Sequence, residues 1–473
     1  MMTARRATLV AFLLATAIGC SDSGSGSSSG SGASGGTSGG SGGGGNGGTG
    51  GTSGSGGLGG GGGKTDCSAT PCRYVRSGAT SGGDGSSWSA AFGDLPKQPE
   101  RGAVYLFADG DYASLMLDAP EAGTTPITLQ KATSEDHGTD AGWDPSLGDG
   151  HAQFPDITLV SDFWVIDGKR RDETAWQKVE AYGFRTEGVM AHTINFGRAS
   201  NDVSIRFVDV GGPPNGTFDT SLPKEGFYFG GFDAVIARWT ISSCHVHDVY
   251  LPFQLAGASE ITVERSRLGP NWSKETIRGQ NHASRIVVRW NVFKDGCQGT
   301  PGDPTAPGCT AQIAMWDGDQ AGDFDGSEIY GNVIWTTQST GHSDGCILIG
   351  GDDGVSAAGV AANDVRVYNN TFVGMAAGNC SIRMPGQHTG VSAKNNLWFG
   401  LGSGVATGCE ADSCENNQKL GSDPFVAAAS GDFHLSQATA AGSVLGAPYD
   451  VDLDGVKRGG DGVWDLGAYE KGP

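Results

Sequence analysis

The sequence predicts an all-β solenoid, in which short strands wind into stacked coils and pair as a parallel β-helix. RVYNNTFVG at 366–374 and SAKNNLWFG at 392–400 share an Asn-Asn pair, an aromatic residue two positions later and a glycine, repeated 26 residues apart. Weaker copies precede them, VVRWNVFKDG at 287–296 and EIYGNVIW at 328–335. Units of this length, with period-two alternation and no helical periodicity, are typical of stacked β-coils.

The first twenty residues are predicted to be a targeting segment. Arg5 and Arg6 precede the apolar run ATLVAFLLATAIG, which is too short to span a bilayer comfortably. The small residues before Cys20 resemble a bacterial lipoprotein signal. That resemblance implies lipidation of Cys20, export, and anchoring to the cell envelope at the outer membrane or cell surface. Simple secretion with cleavage nearby is the alternative.

A tether and one folded domain are predicted to follow. Residues 21–63 are almost entirely Gly, Ser and Thr, and they have too little apolar surface to offset the entropy of ordering. We therefore expect a disordered tether at 21–63 and a single β-helix domain with terminal caps at 64–473.

The net charge of the chain is −21, which disfavours a nucleic-acid partner because phosphate binding needs a basic face. The same charge opposes unaided binding of a polyanion, so a cation such as calcium would help there.

The repeated units align on the residue two places before each apolar anchor. That residue is, in turn, Cys244, Ser266, Asn291, Asn332, Asn370 and Asn396, and the anchors are Val246, Leu268, Phe293, Ile334, Phe372 and Trp398. Asn at one turn of each coil can bridge neighbouring coils as a ladder, while the anchor points into the core. The Asn-Asn motif is therefore interpreted as architecture.

The chain has ten cysteines, and nine remain once Cys20 is set aside. Local disulfides are predicted for Cys67 with Cys72, Cys297 with Cys309, and Cys409 with Cys414, and Cys346 could face Cys380 on an adjacent coil. Metal binding is the alternative, but no His lies at ligand spacing around these cysteines. The remaining Cys244 is expected to be a buried, unpaired core thiol.

Three further stretches carry a family resemblance. They are YVRSGATSGGDGSSWSAAFGDLP from residue 74, KATSEDHGTDAGW with GDGHAQF from residue 131, and the ending DVDLDGVKRGGDGVWDLGAYE. Together they resemble the secreted right-handed parallel β-helix proteins, a superfamily that includes pectate lyases, and in particular a bacterial surface-lipoprotein branch of uncharacterised activity. The resemblance extends over most of residues 74–470 and implies a polysaccharide partner.

The same resemblance implies chemistry for the segment NWSKETIRGQNHASR. A lyase of this superfamily removes the proton next to a uronate carboxylate with a Lys or Arg side chain, while a cation stabilises the resulting enolate. The candidates here are Lys274, Arg278, His282 and Arg285, and strand alternation predicts that Arg278 points outward. Solvated surface charges are the alternative reading.

Two acidic stretches are candidates for calcium. Asp317 and Asp319 lie in WDGDQAGDFDG, and Asp450, Asp452 and Asp454 occupy alternate positions of a calcium-loop-like register. For the first stretch, Asp-Gly turns between strands are the simpler alternative. The second lacks a glutamate at its last position, and a site there would be structural.

His245 and His247 alternate along a strand beside Asp248, so both are expected to face outward. A general base next to a carboxylate is one interpretation, and a plain surface role is the other.

Two functions remain open from the sequence. The first is a monomeric, surface-anchored enzyme acting on extracellular polysaccharide, as a lyase using β-elimination at a uronate. The second is a non-catalytic polysaccharide-binding or adhesion protein. In both, the lipid anchor is the only membrane contact.

Overall fold

The computed structural model describes residues 64–80, 82–120, 123–173, 178–186, 192–196, 200–212, 225–230, 236–272, 275–280, 283–298, 310–315, 324–337, 344–350, 361–385 and 387–472. Within these ranges the chain forms 36 strands and three single-turn 3-10 helices, at Pro145–Leu147, Val179–Ala181 and Ala428–Ser430. No helix in the described ranges is long and apolar enough to cross a membrane.

Three parallel sheets build the body of the domain. The first contains, in spatial order, β1 (Cys72–Val75), β2 (Val104–Phe107), β5 (Ile127–Lys131), β8 (Trp164–Asp167), β11 (Val203–Arg206), β14 (Ile236–Ser242), β17 (Ala258–Glu264), β20 (Val287–Arg289), β23 (Glu328–Tyr330), β27 (Arg366–Tyr368), β31 (Ser392–Lys394) and β33 (Ser413–Glu415). The second contains β3 (Gly110–Asp111), β6 (Ala152–Phe154), β9 (Phe184–Thr186), β12 (Val208–Gly211), β15 (His245–His247), β18 (Arg267–Leu268), β21 (Val292–Lys294), β24 (Val333–Trp335), β28 (Thr371–Val373), β32 (Leu397–Phe399) and β34 (Gln418–Lys419). The third contains β4 (Leu115–Leu117), β7 (Ile157–Leu159), β10 (His192–Phe196), β13 (Glu225–Phe229), β16 (Leu251–Ala256), β19 (Ile277–Gln280), β22 (Ile313–Met315), β25 (Ile347–Ile349) and β29 (Ile382–Arg383).

The order of these strands is that of a parallel β-helix. The chain visits the first, second and third sheets in turn, and from β2 to β22 each strand pairs in parallel with the strand three later. One coil therefore supplies one strand to each sheet, which confirms the predicted fold class. Two small sheets lie outside this pattern, β26 (Ala361–Asn363) with β30 (Gln387–Thr389), and β35 (Phe425–Ala427) with β36 (Asp432–Leu435).

The apolar anchors fill the interior of the coils. Val246, Leu268, Phe293, Ile334, Phe372 and Trp398 all lie in one continuous buried cluster. They also occupy equivalent rungs of the second sheet, because each pairs with the next along the stack. Burial of this strip removes large apolar groups from water, which is the main driving force for stacking the coils.

The predicted asparagine ladder runs along one edge of the second sheet. Asn332 Oδ1 accepts hydrogen bonds from the backbone N–H and the Nδ2 of Asn291, and Asn370 Oδ1 accepts the same pair from Asn332. Asn396 and Asn417 continue the ladder by the same contacts. Each amide thus satisfies a buried backbone group of the coil before it.

The first residue of each Asn-Asn pair has a different task. Asn369 and Asn395 have φ angles of 54° and 58°, in the left-handed region that asparagine tolerates better than most residues. In the earlier coils Arg265, Trp290 and Gly331 make the same left-handed turn. The Asn-Asn motif therefore combines a turn residue with a ladder residue.

Three of the predicted disulfides are formed, Cys67–Cys72, Cys346–Cys380 and Cys409–Cys414. Cys297 is also disulfide-bonded, and its predicted partner Cys309 lies outside the described residues, as does Cys20. Cys244 is a free, fully buried thiol, as predicted.

The C-terminal segment, residues 420–470, folds back over the outer face of the second sheet. Its Phe433, Leu466 and Ala468 form one buried cluster with Val333 and Leu397 of β24 and β32. That cluster reaches as far as Val292 of β21.

Candidate functional site

One candidate surface lies on the outer face of the third sheet. Tyr228 of β13, Gln254 of β16 and Arg278 of β19 stand in register on adjacent strands. Phe253 and Ile277, their neighbours in sequence, are fully buried in the core, so these three side chains point outward. The structure thus confirms the predicted outward direction of Arg278.

The polar groups around Arg278 are linked to one another. The side-chain amide of Gln280, two residues later on the same face, lies 3.1 Å from Gln254 Nε2. With its amide oriented so that the oxygen faces Arg278, Gln280 accepts a hydrogen bond from Arg278 Nη2 at 2.8 Å. Glu275 is 3% exposed, and its Oε2 is a buried acceptor without a hydrogen-bond partner among the described residues. An aromatic ring, two amides, a guanidinium and carboxylates are the groups that proteins use to hold sugar hydroxyls and acidic substituents.

Of the predicted catalytic residues, the structure describes two. Arg285 lies in the turn that enters the first sheet, with φ of 51°, and its guanidinium is 3.0 Å from Glu260 of the preceding coil. It is therefore on a different part of the coil from Arg278 on β19. Lys274 and His282 lie outside the described residues, and their roles stay predictions.

The C-terminal acidic loop is held by protein groups. Asp452 is buried and accepts backbone N–H bonds from Asp454, Val456 and Glu470. Burial, only partly offset by those hydrogen bonds, raises the pKa of its carboxyl group.

The two neighbouring carboxylates of this loop also have partners. Asp450 pairs with Lys457, and Asp454 accepts from His434 Nε2 at 2.6 Å. A calcium ion would have to displace these donors, and a site at Asp450, Asp452 and Asp454 stays a prediction. Asp317 and Asp319 lie outside the described residues.

A second cluster lies on the outer face of the second sheet. Asp209 of β12 pairs in register with His245 of β15, and Gly211 pairs with His247. His245 Nδ1 is 2.8 Å from Asp209 Oδ1, and His247 Nε2 is 3.3 Å from Asp209 Oδ2. In the described part of the chain, this is the only group of three or more His, Cys, Asp or Glu side chains with ligand atoms all within 4.8 Å of one another.

Neighbouring residues fix the orientation of both imidazoles. His247 Nδ1 lies 2.7 Å from Asp248 Oδ2, so each nitrogen of that ring faces a carboxylate. The rings of His245 and His247 stack with their centroids 4.0 Å apart, and the ring of Tyr182 stacks with that of His245 at a centroid distance of 6.0 Å. The rings are thus held between aromatic and carboxylate neighbours.

Burial and charge act in opposite directions within the cluster. Burial lowers the pKa of His245 and would raise that of Asp209, but the adjacent imidazolium of His247 holds the pKa of Asp209 below its usual range. Burial also opposes protonation of His247, but Asp209 and Asp248 outweigh it and raise the pKa of this ring. The arrangement therefore favours a carboxylate and one cation side by side.

The sequence placed both histidines on the outer face, and this is correct. It did not predict that His245 would be only 4% exposed, nor that Asp209 would be the group between them. The available signal was the alternation in VDV at 208–210, where a polar residue separates two core valines.

No family model matches the chain, and no curated protein sequence is significantly similar to it. Among solved structures, pectate lyase Pel9A matches 86% of this chain and 100% of its own, with a TM-score of 0.53 and 14% identity.

Two further structures match more distantly. The Streptococcus pneumoniae surface protein and adhesin PfbA matches 68% of this chain and 84% of its own, with a TM-score of 0.32 and 11% identity. An alginate lyase from Paenibacillus sp. str. FPU-7 matches 72% of this chain and 97% of its own, with a TM-score of 0.28 and 13% identity. The consecutive parallel sheets and the match to Pel9A show that this chain has the right-handed parallel β-helix fold.

Proposed function

We propose that this protein is exported, anchored through a lipid on Cys20, and cleaves an extracellular uronate polysaccharide by β-elimination on the outer face of the third sheet. The observation that supports this proposal is the ladder of Tyr228, Gln254 and Arg278 on adjacent strands. The similarity to a pectate lyase is consistent with it but reflects the fold alone.

The ladder fits an extended acidic glycan. Adjacent strands are about 4.8 Å apart, close to the length of one sugar unit, so an outward ladder can contact successive parts of a chain. The guanidinium of Arg278 would pair with a uronate carboxylate, while Gln254 and Gln280 would bind hydroxyl groups and the Tyr228 ring would pack on a sugar face.

In the proposed reaction, pairing with Arg278 withdraws charge from the uronate carboxylate and makes the adjacent C–H more acidic. A base removes that proton, a C=C bond forms, and the glycosidic C–O bond at the next carbon breaks as its oxygen takes up a proton. Lys274 and His282 flank β19 in the sequence and are the proposed base and acid. Calcium at Asp317 and Asp319 would supply further positive charge to the substrate carboxylate.

The test uses the detergent-solubilised full-length protein with a panel of uronate and neutral polysaccharides, in calcium or in chelator. The ultraviolet absorbance of unsaturated uronate should rise on a uronate substrate. Arg278→Ala should lower kcat/KM by roughly 10- to 150-fold, since a hydrogen bond to a charged group is worth about 1.5–3 kcal/mol. Arg238→Ala is the matched control, because Arg238 is an exposed surface arginine paired with Asp202.

A rise in absorbance that Arg278→Ala leaves unchanged would exclude this face as the site of cleavage. A flat trace on every substrate, together with retention of the protein on one immobilised glycan, would instead favour the non-catalytic binding function.

A further inference from the structure

From the cluster on the second sheet, we infer that Asp209, His245 and His247 form a binding site for a divalent transition-metal ion, of which Zn²⁺ is the representative probe. This site is separate from the face of the third sheet, and nothing in the proposed cleavage reaction uses it.

The ligand set itself selects the class of ion. Imidazole nitrogens suit Zn²⁺, Fe²⁺, Ni²⁺ and Cu²⁺, whereas Ca²⁺ and Mg²⁺ take oxygen ligands. Two histidines and one carboxylate make a three-ligand site that leaves one position of a tetrahedron open, as in catalytic zinc centres. Calcium is therefore excluded as the preferred ion for this cluster.

The backbone brings the two imidazoles to one point. His245 and His247 are alternate residues of β15, so both project from the same face, and Asp209 projects beside them from the paired position on β12. Two ligands bound to one tetrahedral ion at about 2.0–2.1 Å lie about 3.3 Å apart. The 3.3 Å between His247 Nε2 and Asp209 Oδ2 matches this spacing, and the 2.8 Å between His245 Nδ1 and Asp209 Oδ1 needs only a small adjustment.

Room for His247 comes from a glycine. A Cβ atom at Gly211 would lie 3.0 Å from His247 Nε2, which is the atom that faces Asp209. Any larger residue at 211 would crowd the nitrogen that must hold the ion. Gly211 is therefore part of the proposed site although it supplies no ligand.

An outer carboxylate completes the arrangement. Metal-bound histidines typically donate the other ring N–H to a carboxylate or carbonyl, which fixes the tautomer and raises the basicity of the ligand nitrogen. Asp248 stands in this position, 2.7 Å from His247 Nδ1, so the imidazole keeps its proton on Nδ1 while a bound metal ion replaces the proton on Nε2. Arg185 and Arg267 occupy the paired positions on the strands to either side of Asp209 and His245.

The experiment titrates Zn²⁺ into the tag-free full-length protein against a competing chelator. We expect one equivalent to bind, and Co²⁺ in its place should give the intense visible absorption of four-coordinate cobalt. Asp209→Asn and His247→Gln should each lower the affinity at least 100-fold. Asp248→Asn should lower it roughly 10- to 100-fold, as observed for outer carboxylates of other metal sites.

His434→Gln is the matched control. His434 is also flanked by two carboxylates, with Nδ1 2.6 Å from Asp432 and Nε2 2.6 Å from Asp454, but these face opposite sides of the ring and cannot share one ion with it. The His434→Gln variant should bind Zn²⁺ with the same affinity as the unchanged protein.

Circular dichroism of each variant shows whether it still folds. If a buried variant unfolds, the cobalt spectrum of the unchanged protein and the anomalous signal of zinc in a crystal decide the question. Absence of stoichiometric binding in the unchanged protein, or undiminished binding in a folded His247→Gln variant, would show that the cluster is only a hydrogen-bonded network and would overturn the inference.

Discussion

At the scale of single residues, Lys131 is placed where water cannot reach it. Its side chain is fully buried at the end of β5, and its Nζ lies 2.6 Å from Asp109 Oδ1. Burial lowers the pKa of Lys131 and would raise that of Asp109, but the ammonium holds the pKa of Asp109 below its usual value. Removing either member would therefore leave the other charge buried without its partner, which destabilises the folded protein.

Lys131→Met is therefore expected to destabilise the protein by about 3–5 kcal/mol, because it leaves the Asp109 carboxylate without its counter-ion. Arg238→Met, which breaks a largely exposed pair with Asp202, should cost less than about 1 kcal/mol. Urea denaturation of the two variants measures both values. Equal effects would mean that the burial of Lys131 does not determine its contribution.

At the scale of structural elements, the asparagine ladder links each coil to the next through side-chain amides. Asn332 accepts two hydrogen bonds from Asn291, and its Nδ2 donates to Val288 O at 2.8 Å and to Asn370 Oδ1 at 3.0 Å. All of these groups are buried, so removing the amide leaves them without water as a substitute partner.

We expect Asn332→Ala to lower the free energy of unfolding by about 2–4 kcal/mol, since each orphaned buried group costs about 1–3 kcal/mol. Asn332→Ser should cost less, because Ser266 occupies the equivalent position and its hydroxyl oxygen accepts a hydrogen bond from the backbone N–H of Cys244. Denaturant unfolding distinguishes the two variants. A serine variant as unstable as the alanine variant would show that the hydroxyl cannot replace the amide in this coil.

Features that depend on alternation along one strand could be predicted from the sequence, whereas features that depend on pairing between distant strands could not. The asparagine ladder and the inward apolar anchors follow from residues two positions apart, so alternation along a strand was sufficient to predict them. The outward direction of Arg278 followed from the same parity. The cluster of Asp209, His245 and His247 did not follow from it, because Asp209 lies 36 residues before His245 and meets it only through the pairing of β12 with β15. No local spacing in the sequence encodes that register.

At the scale of the whole molecule, the C-terminal segment ties several coils together from outside. Phe433 is 1% exposed and packs edge-on against Trp335 of β24, with ring centroids 5.3 Å apart. Ala468 N donates to Thr371 Oγ1 of β28 at 2.8 Å. In a repeat protein each coil otherwise contacts only its neighbours, so this segment adds contacts that bypass the order of the stack.

Phe433→Ala should therefore destabilise one end of the solenoid more than the other. Loss of a buried phenylalanine costs about 3–5 kcal/mol, and nearest-neighbour coupling confines most of that loss to the coils beneath the segment. Hydrogen exchange followed by mass spectrometry should show faster exchange in β24, β28 and β32, with little change in β2 and β5. Val444→Ala, at a side chain that is 82% exposed, serves as the control and should leave exchange unaltered throughout. Faster exchange of equal size in all coils would instead show that the solenoid unfolds as one cooperative unit, because the disturbance would then have passed through every interface between coils.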